Sequence, residues 1–368
     1  MPITPSRRTL LVGAVAAPLM VRDAMAQQPA AAPAPAAQSP PDGPQLAAPR
    51  TALSPPYPVV GKVQRLDPAL DALIDADAPV EKVLDGFVWS EGPVWVGGAD
   101  GMLLVSDTRA NQISSWSARR GGAIWLKPAG YRAPDGREWT PEMREPGSNG
   151  LILARGGVVG ADTGSRAIVR YDLRTKARTV LADRFEGRRF NSPNDLALHP
   201  DGSIYFTDPF FGLFGGAASP LRELDYTGVF RLAPDNTVTL VDRTVFPNGI
   251  GVTPDGTRLI TTDTAGWTMW DLDRQGRAGA KRLFVGRDTG IMGGDGLRID
   301  AAGNLWASSR DGLSILNTEG KRIGLITTDQ SISNCEFGAD GYLYMSSNVR
   351  LIRVKVKPGA RKLVFRNA

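Results

Sequence analysis

The stretch PNDLALHPDGSIYFTDP, Pro193 to Pro209, reads as a polar start, a short apolar strand, an Asp-Gly turn and a second strand closing on Thr-Asp. Its second half returns as GADGMLLVSDT (Gly98 to Thr108), ARGGVVGADTG (Ala154 to Gly164), TPDGTRLITTDT (Thr253 to Thr264), DAAGNLWASSR (Asp300 to Arg310) and GADGYLYMSSN (Gly338 to Asn348). The turn glycines Gly101, Gly157, Gly202, Gly256, Gly303 and Gly341 are spaced by 56, 45, 54, 47 and 38 residues. An interval of that size holds one four-stranded blade. Units too small to bury their own apolar face stack radially around a channel. The repeat predicts an all-β fold, a six-bladed β-propeller.

Eight positions ahead of the turn glycine, four successive units carry a short side chain with an amide or carboxylate oxygen: Asn149 in SNGL, Asn194 in PNDL, Asn248 in PNGI and Asp295 in GDGL. The first unit offers Glu91 in EGPVW, and the last offers Ser333 and Asn334 in SISNC. The innermost strand of every blade begins at one mouth of the channel, so these scattered positions are expected to converge there. Such oxygens suit a hard divalent cation. Calcium accepts mixed carboxylate, amide and water oxygens, whereas zinc prefers His and Cys, of which the chain has one each. The ring therefore predicts a central metal site. Asn before Gly or Asp is also a common turn former, and for any single residue that explanation suffices. Recurrence at a fixed offset, with Glu and Asp in the set, favours a shared site; for Asn149 and Asn334 the two explanations balance.

The N-terminus, SRRTLLVGAVAAPLMVRDAMAQQ, has paired Arg7 and Arg8, an apolar run from Leu10 to Met20 and an A-x-A site at Ala24 to Ala26. It is expected to be a twin-arginine signal peptide over residues 1–26, directing the protein to the periplasm. A membrane span needs about 20 apolar residues, and this shorter run is broken by Pro18, so no membrane insertion is expected after cleavage. Residues 27–58, rich in Ala and Pro, are expected to be a disordered tether, and residues 59–368 the propeller domain. Asp67 to Val80 reads as one short helix leading into the first strand. The net charge of +5 falls to +3 once Arg7, Arg8, Arg22 and Asp23 leave with the signal. The remaining Lys and Arg are dispersed, which argues against nucleic acid or an anionic membrane as partner. Cys335 stands alone, so no intramolecular disulfide can form.

The only histidine, His199, lies five residues past Asn194 on the same expected strand, roughly 16 Å from the channel mouth at about 3.3 Å per residue. A Ser-His-Asp triad at the ring is thereby disfavoured, and a carboxylate has to serve as general base. A calcium ion beside it can polarise a carbonyl and stabilise the oxyanion formed when water attacks. Strained cyclic esters suit such a site, because their leaving alkoxide stays tethered.

EGPVW, PNDLALHPDGSIYFTDP, PNGIGVTPDG, GDGLRIDAAGNLWAS and CEFGADGYLYMSS resemble, in order and spacing, the regucalcin/gluconolactonase (senescence marker protein) family of calcium-dependent six-bladed propellers. The resemblance runs from about Leu66 to Lys357, and FTDPFFGL followed by ELDYTGVFRL is similar to the bacterial gluconolactonase branch. It implies that Glu91, Asn248 and Asp295 bind the metal, that Asp295 is also the general base, and that Asn194 contacts metal or substrate. It implies further that Asn149, in PGSNGL, faces the pocket and that Arg166 binds substrate. Two departures bear on sugar specificity. Ser192 stands where regucalcin-like members carry an arginine, and Asp162 to Arg166 replaces an EHGTR phrase, losing its pocket histidine.

The function expected is a calcium-dependent lactonase hydrolysing sugar lactones such as gluconolactone, with Zn2+, Mn2+ or Mg2+ as alternative cations. The alternatives are an organophosphate or aryl-ester hydrolase on the same site and a non-catalytic ligand-binding propeller. Two insertions, 127–147 and 210–226, are expected at the rim, either as pocket walls or as loops anchored in local apolar clusters.

Overall fold

A computed structural model describes Gly43 and residues 45–361. The expected signal peptide at 1–26, most of the expected tether and residues 362–368 lie outside the described residues. The described chain is all-β. Its helical pieces are four 3-10 turns, Pro68–Ala72, Gly216–Ala218, Arg287–Thr289 and Pro358–Ala360.

Each repeat folds as an antiparallel meander in which sequence neighbours pair. Four are separate four-stranded sheets whose first strands are Ser90–Val96, Ser148–Ala154, Leu196–Leu198 and Ile250–Val252. The others belong to one ten-stranded sheet, in which one meander runs from Gly293–Ile299 to Arg322–Thr328 and another from Asn334–Phe337 to Arg350–Lys355. Strands from the start of the chain join them. Val59–Arg65 pairs with Arg322–Thr328, Val80–Asp85 pairs with Arg350–Lys355, and these two early strands pair with each other. The first strands of the meanders touch one another in cyclic order, the last against the first.

Apolar clusters fill the wedges between successive sheets. Phe190, Phe206 and Phe230 pack between the second and third meanders, with Phe206 and Phe230 stacked at 5.4 Å between centroids. Trp116 and Tyr344 meet at 5.5 Å between the last meander and the first. Cys335 is buried in the cluster that holds Trp306, the place of a small hydrophobe. Fully burying one large apolar side chain is worth about 1.5–3 kcal/mol, so these wedges fix the angle of every first strand.

The acidic residue that ends the repeat phrase is a loop clamp. Asp107 accepts from the backbone N–H groups of Val88 and Trp89 (3.1 Å each) and pairs with Arg50 at 2.7 Å. Asp208 accepts from Asn191 and Ser192 at 2.8 and 2.9 Å. Each clamp thus holds the backbone just ahead of a first strand, upstream of Glu91 in one case and of Asn194 in the other.

Two sequence expectations need correction. The tether ends before residue 58: Thr51–Ala52 pairs with Val80–Asp85, Tyr57 is buried, and the Arg50 guanidinium lies 3.9 Å from the Phe87 ring centroid. Composition hid these anchors because four residues suffice to fix a Pro-rich segment. The piece after Asp67 is a single 3-10 turn, capped by the Asp67 carboxylate accepting from Ala69 N–H at 2.8 Å. It is preceded by the strand Val59–Arg65, so it joins strands rather than opening the sheet.

Candidate active site

The ring positions converge, and hydrogen bonds between neighbouring first strands hold them. Gly150 N–H donates to Asn194 O at 2.7 Å, Gly249 N–H to Asp295 O at 3.2 Å, and Gly296 N–H to Ser333 O at 2.7 Å. The Ser333 hydroxyl closes the ring by donating to Ser90 O at 2.8 Å. The glycine that follows Glu91, Asn149, Asn248 and Asp295 makes room for this approach. A Cβ on Gly92 would lie 2.0 Å from Asn149 O, one on Gly249 would lie 2.5 Å from Asp295 O, and one on Gly296 would lie 2.2 Å from Asn334 Cγ. Of these three only Gly92 has a positive φ (48°). Turn formation therefore does not account for the recurring Asn-Gly and Asp-Gly pairs; close packing of strand against strand does. Sheet register also slips at the ring, between Glu91 and Val94, Ser148 and Leu151, and Gly293 and Leu297. Such irregularities re-aim side chains away from the ladder.

Asp295 is half-buried and lies within hydrogen-bonding reach of the Asn248 amide and the Glu91 carboxyl. Glu91 is 3% exposed, and its Oε2 accepts from Gly92 N–H at 3.1 Å. Burial, then the carboxylates of Asp295 and Asp195, push the Glu91 carboxyl well above the usual range. Burial, then Glu145 and Asp195, raise Asp295 to about 7. The Asn248 Oδ1 is buried without a hydrogen-bond donor among the described residues. Crowded acids beside an orphaned carbonyl oxygen fit a hard cation, which would relieve the repulsion and take up the free acceptor. Among the described residues no three Asp, Glu, His or Cys side chains form a metal-holding group, so the donor set is two carboxylates supplemented by amides.

The other expected site residues separate into two groups. Asn194 is 7% exposed and its carboxamide makes no hydrogen bond among the described residues, leaving it available to a ligand. Asn149 donates to Glu145 Oε2 at 3.4 Å, and Asn334 to Asp195 Oδ2 at 3.3 Å. Arg166 is held at the junction of the second and third meanders instead: its Nε donates to Phe190 O at 2.6 Å and its guanidinium lies 3.7 Å from Glu223. These contacts account for its burial as a loop anchor. Ser192, at the position of the missing arginine, donates to Pro209 O at 2.7 Å and accepts from Gly212 N–H at 3.2 Å, tying down the second insertion. His199 is buried in its turn, with Nε2 3.0 Å from Gly256 O.

Four charged residues of this region escaped the repeat analysis. Glu145 is buried beside Asn149 within the first insertion. Asp195, Arg298 and Glu336 form a buried row behind the ring, Arg298 lying 3.4 Å from Asp195 and 3.3 Å from Glu336. Asp195 follows Asn194 directly, and Arg298 follows Asp295 by three positions on one strand. A charge inside an otherwise apolar first strand was the available signal. Beyond this row the channel opens into a cavity of about 390 Å3 walled by Val94, Ile152, Leu196, Ile250 and Phe337. It lies past the ring residues on each first strand, so it is not the acidic site itself.

The two insertions are fastened together across the mouth. Met143 bridges Leu213, Arg144 N–H donates to Gly212 O at 2.9 Å, and Phe214 N–H donates to Glu142 O at 2.9 Å. Phe210 and Phe211 pack on Phe246 at 5.1 and 6.1 Å, and Arg144 lies over Phe214 at 5.5 Å. The aromatic residues thus anchor the loops.

A ring of meanders with acids and amides gathered where their first strands begin defines a class of β-sheet proteins built around a central polar site. Residues 89–349 match the family described as SMP-30/Gluconolactonase/LRE-like region, and the chain belongs to that family. It is 39% identical over 313 residues to a gluconolactonase of Zymomonas mobilis, covering 81% of this chain and 87% of that protein. A solved gluconolactonase from Xanthomonas campestris superposes with a TM-score of 0.68 at 27% identity, over 85% of this chain and 99% of its own. The calcium-binding protein regucalcin from Agrobacterium tumefaciens shares the fold, with a TM-score of 0.58 at 20% identity over 76% of this chain and 94% of its own.

Proposed function

We propose that this protein is a calcium-dependent lactonase acting on sugar lactones, built as a six-bladed propeller and exported to the periplasm by the twin-arginine route. The observation that carries the proposal is the convergence of Glu91, Asn248 and Asp295 around the orphaned Asn248 Oδ1. Family membership and the identity to a gluconolactonase support it; the sequence of residues 1–26 supports the route. No helix among the described residues is long and apolar enough to cross a membrane.

Glu91, Asn248 and Asp295 would hold the divalent cation, with Asn194 completing the set or holding substrate; when bound, the cation supplies Lewis-acid polarisation of the ester carbonyl. Asp295 takes a proton from the attacking water. The ring C–O bond then breaks and the alkoxide, still tethered, takes up a proton. Asn149 and Asn194 orient the lactone, and Glu145 orients Asn149. The insertions at the mouth limit access by bulk water.

Lactone hydrolysis followed at constant pH tests the proposal. Turnover of gluconolactone with calcium, its loss on chelation and its loss in Asp295→Asn are expected. Full activity in that variant would remove Asp295 as base, and turnover of aryl esters or phosphotriesters without lactones would replace the substrate class.

A further inference from the structure

Arg109 and Arg144 stand at the mouth of the ring on separate elements, Arg109 just past the strand Met102–Asp107 and Arg144 in the first insertion. They are the two charges that hold the Glu145 carboxyl down against the effect of its burial. Neither guanidinium forms a hydrogen bond or ion pair among the described residues, and the Nε of each is buried without an acceptor. Each lies against an aromatic ring, Arg109 at 4.9 Å from Trp89 and Arg144 at 5.5 Å from Phe214. Stacking of this kind fixes the guanidinium plane and leaves its edge free for an acceptor. The backbone of Arg144 is fixed too, because Arg144 and Glu145 both donate to Gly212 O, at 2.9 and 3.2 Å.

One carboxylate shared between two cations leaves a positive charge over. Buried donors without acceptors are costly, and each such group in a folded protein calls for a partner. A planar carboxylate is the partner whose geometry a guanidinium fits in two parallel hydrogen bonds. We propose that Arg109 and Arg144 form the specificity end of the pocket and take the carboxylate of an acidic sugar lactone, of the aldaric or uronic class, whose ester lies at Asp295. The single surplus charge matches a monoanion. This assignment rests on the lactonase function proposed above and names its substrate class.

Glucaro-1,4-lactone and glucono-1,4-lactone form a matched pair, differing only in a carboxylate or a hydroxymethyl group at the far end. With calcium-loaded protein, kcat/KM is expected to be at least about tenfold higher for the acidic lactone, the scale of one hydrogen bond to a charged group. Arg109→Gln and Arg144→Gln are each expected to lower that ratio about tenfold, while Arg144→Lys, which keeps the charge, retains part of it. A ratio at or below one, or a ratio unmoved in both glutamine variants, overturns the assignment and leaves the lactonase function standing. Titration calorimetry with the ring-opened acids separates the two. Glucarate binding more tightly than gluconate, with the difference lost in Arg144→Gln, supports the carboxylate site even where neither lactone is turned over, an outcome that removes the hydrolase alone.

Discussion

Without the proposed cation, Asp295 is a liability whose size the structure sets. Its carboxyl rises from 3.8 to about 7 on folding without metal, first through burial and then through Glu145 and Asp195. Below about pH 4 both folded and unfolded chains hold the proton and nothing is lost. As the pH rises through the window between these values, the unfolded chain releases a proton that the folded chain retains, so stability falls and the loss is complete above about pH 7. At about 1.4 kcal/mol per unit, the metal-free protein loses about 2–3 kcal/mol between pH 5 and pH 8 through this group. Asp295→Asn cannot titrate there, and it leaves Glu91 without its largest repelling charge. In urea denaturation with a chelator, followed by tryptophan fluorescence, the variant should therefore gain about 2–3 kcal/mol on the parent between pH 5 and pH 8. Calcium should restore the parent and leave the variant unchanged. A parent that holds its metal-free stability against the variant across that interval would refute the account of crowded, buried acids.

Gly249→Ala places a methyl 2.5 Å from Asp295 O, and Gly150→Ala places one 2.6 Å from Asp195 Oδ1; each should cost about 1–3 kcal/mol and weaken calcium binding measured by calorimetry. Arg50→Ala strands the fully buried Asp107 carboxylate and should cost about 3–5 kcal/mol in denaturant unfolding, although Arg50 lies in a segment whose composition reads as disorder. His199→Gln should leave the pH profile of turnover unchanged, since the imidazole is occupied by Gly256 O in a turn beyond the ring; a shifted profile would bring histidine back into the chemistry.

The periodic parts of this molecule were legible in its sequence. The first strands and the gathering of Asn248 and Asp295 follow from one phrase repeated at a fixed offset, with Glu91 two positions further ahead of its turn glycine, because a radial fold turns equal positions in the chain into neighbours in space. Glu145, Arg109 and Arg144 carry no such mark: one insertion and one strand-end turn supply them, and they are brought together where Gly147 N–H donates to Thr108 O and where Arg144 and Glu145 N–H donate to Gly212 O. Arg298 and Glu336 were missed because charges in a strand ordinarily face water, whereas here Arg298 bridges Glu336 and Asp195 inside the channel. Arg166, matched by position to a family phrase, has its guanidinium engaged with Phe190 O and Glu223.

The pairing of Val80–Asp85 with Arg350–Lys355 has a consequence for the order in which the protein comes into being. Arg353 reaches back 272 positions to Glu81, and Ser333 reaches back 243 to Ser90. An early strand must wait for nearly the whole chain to be synthesised before its partner exists, and loop closure over such lengths comes late in folding. Glu91 and Asp295 come from opposite ends of that wait, so no fragment released early can assemble the acidic pair. The ring is closed only by the last sheet, where Ser333 meets Ser90, so a chain cut short before it should have strands but an open site.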